Sequence, residues 1–113
     1  MNMQNVYNLL SSVGVPANVH GRQYLVKAVD IIMNDDEAAF AMTKRVYMQV
    51  ADDYSISHKQ VENSMRTAIE RAWKIGRCDR HESIFGYSRL IGKRPSNSEF
   101  ILRIAEYLKT NDN

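Results

Sequence analysis

Apolar residues recur along this chain at intervals of three and four, not two, from near its start to near its end. Val6, Leu9, Leu10 and Val13 form the stripe of a first helix, after which Gly14 offers a left-handed stop and Pro16 forbids continuation. Leu25, Ala28, Val29, Ile32 and Met33 mark a second helix, ending near the polar run Asn34-Asp35-Asp36. Ala38, Phe40 and Met42 lie in a short third segment, and Val46, Tyr47, Val50, Ala51 and Tyr54 share a stripe over 44–54. Residues 58–75 carry the best-defined pattern. On a wheel of ~100° per residue, Val61, Met65, Ala68, Ile69, Ala72 and Trp73 share an apolar arc. Asn63, Thr67, Glu70 and Lys74 stand opposite, with Lys59 and Gln60 at the margins and Arg66 nearer the core boundary.

Residues 77–95 read as a short helical piece and a basic loop closed by Pro95. A last helix opens at Ser96-Asn97-Ser98-Glu99, where Ser96 and Glu99 have capping-box spacing, and buries Phe100, Ile101, Ile104, Ala105 and Leu108. The tail, Thr110 to Asn113, is expected to be disordered. No strand pattern, repeat or low-complexity linker interrupts the series. The expected fold is all-α, a compact bundle of about six helices in a single domain over 1–113.

Composition narrows the function classes. With 113 residues, 25% charged and 44% hydrophobic, the chain holds one real core and not two. No apolar run approaches the ~20 residues that span a bilayer, so no membrane association is expected. Residues 1–20 lack a basic start and an apolar stretch, which points to the cytoplasm. The single cysteine, Cys78, excludes an internal disulfide framework. Charge is the more telling quantity. The net +2 hides a basic block: residues 55–94 hold nine Lys and Arg against four acids, while residues 1–54 hold four against six. Such a block suits a polyanion-facing surface; its plain alternative is a solvated face with scattered charge.

Only Ser55-Ile56-Ser57 separates the segment over 44–54 from the helix over 58–75. Ser57 can accept from the Gln60 amide while the Gln60 side chain reaches back, a second capping box. A connection this short makes the helices cross steeply, which is helix-turn-helix geometry. Ala51 is small where they approach, and Ile56 with Val61 seals the angle. Position 55 calls for a positive φ, for which serine is a poorer choice than glycine. A recognition helix presents polar groups over its first turns, where it enters the major groove. Lys59, Gln60, Glu62, Asn63, Arg66 and Thr67 are the base-reading candidates. Gln and Asn pair bidentately with adenine, Arg with guanine, and the Thr methyl meets the thymine methyl. Glu62 either accepts from cytosine or orients Arg66 one turn on. Phosphate contacts are expected from Ser57 and His58 at the helix start, from Lys74, and from Lys93, Arg94, Asn97 and Ser98 beside the last helix.

Enzyme chemistry finds little support. His20, His58 and His81 lie far apart without carboxylates or cysteine at ligand spacing, so no metal site is expected. Cys78 has basic neighbours in Arg77 and Arg80 but no paired base. Asp35-Asp36-Glu37 is too short for a calcium loop, and no glycine-rich phosphate loop is present. No cofactor and no catalytic residue are expected.

Several rarer pieces occur together in order. Val13-Gly14-Val15-Pro16-Ala17 is followed by Gly21 with Tyr24-Leu25, then by Thr43-Lys44 and Tyr47. Val61-Glu62, Arg66, Ala68-Ile69-Glu70, Ala72-Trp73 and Gly76 come next, then Phe85-Gly86-Tyr87, Pro95 and Asn97-Ser98-Glu99-Phe100-Ile101. Over nearly all of 5–108 this resembles the C-terminal effector domain of the sporulation initiation response regulator of endospore-forming bacteria. The resemblance implies a six-helix DNA-binding transcription regulator that reads TGTCGAA-like boxes, often in tandem, so a homodimer or tandem binding is a possible arrangement. It also implies contact with an RNA polymerase sigma factor through about Gly76 to Arg89; Phe85 and Tyr87 have core anchoring as their alternative role. Glu62 and Arg66 match the family's recognition residues. Gln60 and Asn63 stand where the family has arginines, Thr67 where it has a histidine, and Met48 where proline is common. Fewer guanidinium groups weaken phosphate attraction and guanine readout together, so an altered or weaker site is expected. These replacements also motivate an alternative, a degenerate effector working as a protein-interaction module for polymerase, sigma factor or a full-length relative. No phosphoacceptor receiver domain lies within the sequence, so the resemblance is to the effector alone.

Overall fold

The helix that buries the most residues lies at the centre of the molecule. In the computed structural model, which describes residues 3–111, α1 (Met3–Ser12) leads through a turn into α2 (His20–Asn34). A 3-10 turn (Asp36–Phe40) and a π-helical stretch (Met42–Tyr47) run into α3 (Met48–Tyr54), and α4 (His58–Ile75), α5 (Cys78–Phe85) and α6 (Asn97–Asn111) follow. The described residues form helices and turns with no strand. Tyr24, Leu25, Val26, Ala28, Val29, Ile31 and Ile32 of α2 are all buried, where a helix at the edge of a bundle would bury one stripe. The reason is that α1, α3, α4 and α6 all pack against it.

The turn after α1 is fixed by Gly14, whose φ of +102° suits glycine alone among common residues. Arg22 then ties this turn to α2. Its guanidinium donates to the Val15 carbonyl at 3.1 Å, the Tyr7 carbonyl at 3.2 Å and the Ser11 hydroxyl at 2.8 Å. Two glycines set how closely α4 is held. A methyl group at Gly21 would stand 2.2 Å from the Ser64 carbonyl oxygen, so α2 lies directly against the middle of α4. A methyl at Gly76 would stand 2.2 Å from the Val13 carbonyl oxygen and 2.5 Å from His81 Nε2.

Aromatic rings close the other end of α4. Trp73 stacks on the buried His81 ring at 4.4 Å and meets Phe85 and Tyr87 edge-on at 5.8 and 5.1 Å, and Phe85 stacks on Phe100 of α6. Phe85 and Tyr87 are therefore anchors between α4, α5 and α6. His81 Nε2 donates to the Val13 carbonyl at 2.7 Å, and its Nδ1 has no partner among the described residues.

Three expectations are corrected. Phe40, placed on an apolar segment, is 87% exposed, because the 3-10 turn that buries Ala38 points it outward. The segment over 44–54 begins earlier and is not uniformly α-helical. The Met48 amide donates to the Thr43 carbonyl, closing a π-type turn that a proline at 48 could not close. Thr110 and Asn111 are helical: Thr110 Oγ1 donates to the Glu106 carbonyl and Asn111 Nδ2 to that of Tyr107, both at 2.9 Å. Residues 112 and 113 lie outside the described residues.

Ser55 ends α3 with φ 57° and ψ 44°, the left-handed conformation the short turn demands. The left-handed penalty of roughly 1–2 kcal/mol, less the entropic cost of glycine, means Ser55→Gly should stabilise the domain by about 0.5–1 kcal/mol, read from urea midpoints. Gly76→Ala should destabilise it by about 1–3 kcal/mol in the same assay, through overpacking against Val13 and His81.

Candidate nucleic-acid interface

The capping box at the start of α4 is present in full. The Ser57 hydroxyl accepts from the Gln60 amide at 3.1 Å, and the Ser57 amide donates to Gln60 Oε1 at 3.0 Å. Val61, Met65, Ala68, Ile69, Ala72 and Trp73 are buried, and Ile56 packs from the turn against the same core. The opposite edge of α4 stays open. Lys59, Gln60, Asn63, Arg66, Thr67, Glu70, Arg71 and Lys74 are all exposed. Burial of one face and capping of the first turn thus project a polar edge several turns long.

Local bonds sort the base-reading candidates. Arg66 donates from Nη1 to Asn63 Oδ1 at 3.0 Å, so Asn63, and not Glu62, orients it. The geometric reason lies on the helix surface, where Glu62 is turned toward α6 and half-buried. Thr67 Oγ1 donates to the Asn63 carbonyl at 3.0 Å; its hydroxyl is engaged in the backbone and its methyl is left for apolar contact. Gln60 Oε1 is held by the cap, which leaves its Nε2 donor for a base and removes the paired donor and acceptor that adenine needs. Lys59 is exposed at the second helical position.

The phosphate candidates fall into two groups. Lys74 and Lys93 are exposed cations, while Ser57 serves the cap and His58, at the first helical position, is half-buried. Arg94, Asn97 and Ser98 instead gather with Glu62 and Arg66 around one open hollow between α4 and the start of α6. There Asn97 Nδ2 donates to the Glu62 carbonyl at 2.9 Å, so its side chain pins α6 to α4 and is not a free phosphate donor. Ser98 Oγ and Tyr47 OH share a hydrogen bond at 2.9 Å, and Arg94 stands 3.9 Å from the Glu70 carboxylate. Ser96 Oγ accepts from the Glu99 amide at 3.2 Å, capping α6.

The opposite edge of α4 holds residues that sequence reasoning passed over. Asn18, Val19 and His20, just before and at the start of α2, line hollows shared with Asn63, Ser64 and Thr67. The signal that could have found them is Gly21, whose missing side chain lets this end of α2 lie on α4. No group of three or more metal-ligating side chains occurs among the described residues, and no described helix is long and apolar enough to cross a membrane.

A short helix, a three-residue turn with a left-handed serine, and a capped helix with an exposed polar edge form a helix-turn-helix, an architecture that recurs in DNA-binding domains. The chain belongs to a known family of that class. The model of the family described as sporulation initiation factor Spo0A C terminal matches residues 6–108, nearly the whole chain. This is a DNA-binding effector domain of a response regulator, acting in transcription regulation, and double-stranded DNA is its partner.

Tyr47 lines the hollow beside Arg66. Burial raises its phenol above the ordinary tyrosine value; the bond to Ser98 pulls back and Glu62 adds to the rise. Burial pushes Tyr54 and Tyr87 in the same direction. Below the unfolded-state value both states keep the proton, and this contribution to stability is complete. Above about pH 10 the unfolded chain releases protons that the folded chain retains, so stability should fall as pH rises. Urea midpoints taken from pH 8 to pH 11 should show that fall, with a shallower slope in Tyr47→Phe.

Proposed function

We propose that the domain regulates transcription by laying α4 in the major groove of a specific operator, with Lys59, Gln60, Asn63, Arg66 and Thr67 facing the bases and Glu62 turned away toward α6. The observation that carries this reading is the uncovered polar edge of a helix whose other face is buried, bordered by the exposed Lys74 and Lys93. Arg66, held by Asn63, is the guanine reader, and the Thr67 methyl is the thymine contact. Lys74, Lys93 and Arg94 hold phosphates, with His58 at the start of α4 and Ser98 at the start of α6 beside them. The whole of 1–113 works as one unit in the bacterial cytoplasm, as a single copy, a homodimer or tandem copies along DNA.

Protein contact is the second part of the proposal. The stretch Gly76–Arg89 faces an RNA polymerase sigma factor. Its exposed residues include Arg77 just before α5 and Asp79, Glu82 and Ser83 within it, and it is bracketed by the exposed apolar side chains of Ile75, Leu90 and Ile91. A domain that had given up DNA for such contacts alone would bind a duplex weakly and with little salt dependence.

A duplex selected from random sequence is the direct test. Arg66→Ala should cost roughly 1–3 kcal/mol on that duplex and relax one base position, while Lys93→Ala should weaken all duplexes alike and lower the salt slope by about one. Anisotropy titrations at two salt concentrations read both effects. Binding that neither substitution changes would remove α4 from the groove.

A further inference from the structure

A helix in the major groove has a phosphate backbone on each side, so a recognition helix needs donors along both of its flanks. On one flank of α4 stand Arg66, Arg94 and Ser98. The other flank is walled by the end of the α1–α2 turn, and two adjoining hollows open there, each lined by His20, Asn63 and Ser64. Asn18 and Thr67 complete one of them and Gln60 the other. His20 therefore stands beside three of the residues that face the bases.

Charge and chemistry at this flank suit one ligand. No Asp or Glu lines either hollow, whereas the acids of α4, Glu62 and Glu70, face α6 and Arg94. The His20 imidazole is exposed and stacks loosely on Tyr24, with ring centroids 6.5 Å apart. Either tautomer offers an N–H to an anionic oxygen, and the exposed Asn18 amide offers two more. Position is fixed as well as chemistry. Because Gly21 lies against the Ser64 carbonyl, the neighbouring His20 cannot be withdrawn from α4 without unpacking α2.

We propose that His20, with Asn18, holds the sugar-phosphate backbone of the DNA strand on the Gln60–Asn63–Thr67 side of α4, making a two-sided clamp with the Arg94–Ser98 side. The inference rests on α4 being the recognition helix. It adds a contact outside the basic block, in the acidic half of the chain.

The test compares the parent domain with His20→Glu, His20→Lys and Asn111→Asp on the selected duplex and on a scrambled duplex of equal length. Asn111 lies at the far end of α6 and controls for added negative charge. His20→Glu should weaken both duplexes by about tenfold or more and lower the salt slope by about one, and His20→Lys should bind at least as tightly as the parent. Asn111→Asp should stay within about twofold of the parent, since charges far beyond the Debye length are screened. The proposal is overturned if His20→Glu weakens binding no more than Asn111→Asp does. A loss confined to the selected duplex, which marks base reading, also overturns it, as does an equal loss in His20→Lys, which marks packing. If Arg66→Ala weakens the parent's binding and the His20 variants do not, this inference alone fails; if the parent binds neither duplex, the reading of α4 fails with it.

Discussion

Everything about the interface depends on backbone lying against backbone along α4. Side chains normally hold helix axes 8–10 Å apart. At Gly21 that spacer is missing, and the start of α2 rests on the carbonyl of Ser64 midway along α4. At Gly76 the chain leaving α4 comes under the Val13 carbonyl and the His81 ring. The helix is thus gripped at its middle and at its end, while its first turns are held by the Ser57 cap and the Ile56 contact. A cylinder fixed in this way cannot rotate about its axis to present other side chains, because interiors are packed too densely to absorb the change. The polar edge is a property of that grip as much as of the residues on it.

Much of this was legible in the chain itself. The apolar arc of 58–75 is buried residue for residue, and Gly14, Ser55 and Ser57 do locally what their chemistry demands. Legibility failed where a side chain had two possible partners. Asn97 looks like a free polar group, yet it ties α6 to the Glu62 carbonyl, and Gln60, read both as cap and as base reader, has its oxygen taken by the cap. Arg66 could be oriented from one turn before by Glu62 or from three residues before by Asn63, and only the packing of α6 beside Glu62 decides. The π-type turn at Met42–Tyr47 follows from one available amide, at Met48, that periodicity does not register. His20 was missed because charge counting led to the basic block, and proximity between distant segments has no signal in local pattern.

The recognition edge has a different character from a surface of separate cations. Asn63 joins Arg66 by a side-chain bond and Thr67 through its carbonyl, so three exposed side chains form one linked group. A guanidinium already held in place loses less conformational freedom on binding than a free one. Placement of this kind favours contact through fixed geometry and not through long-range attraction alone.

The chain's single tryptophan sits where three parts of the molecule meet. Trp73 is 6% exposed, donates from Nε1 to the Gly92 carbonyl at 3.2 Å, and has its indole flat against His81. Its emission consequently reports on a junction and not on the fold at large. Loosening of the 88–94 loop breaks its hydrogen bond, and displacement of α5 removes the imidazole from its face. The protein carries its own fluorescent gauge of whether the segment beyond α4 is docked.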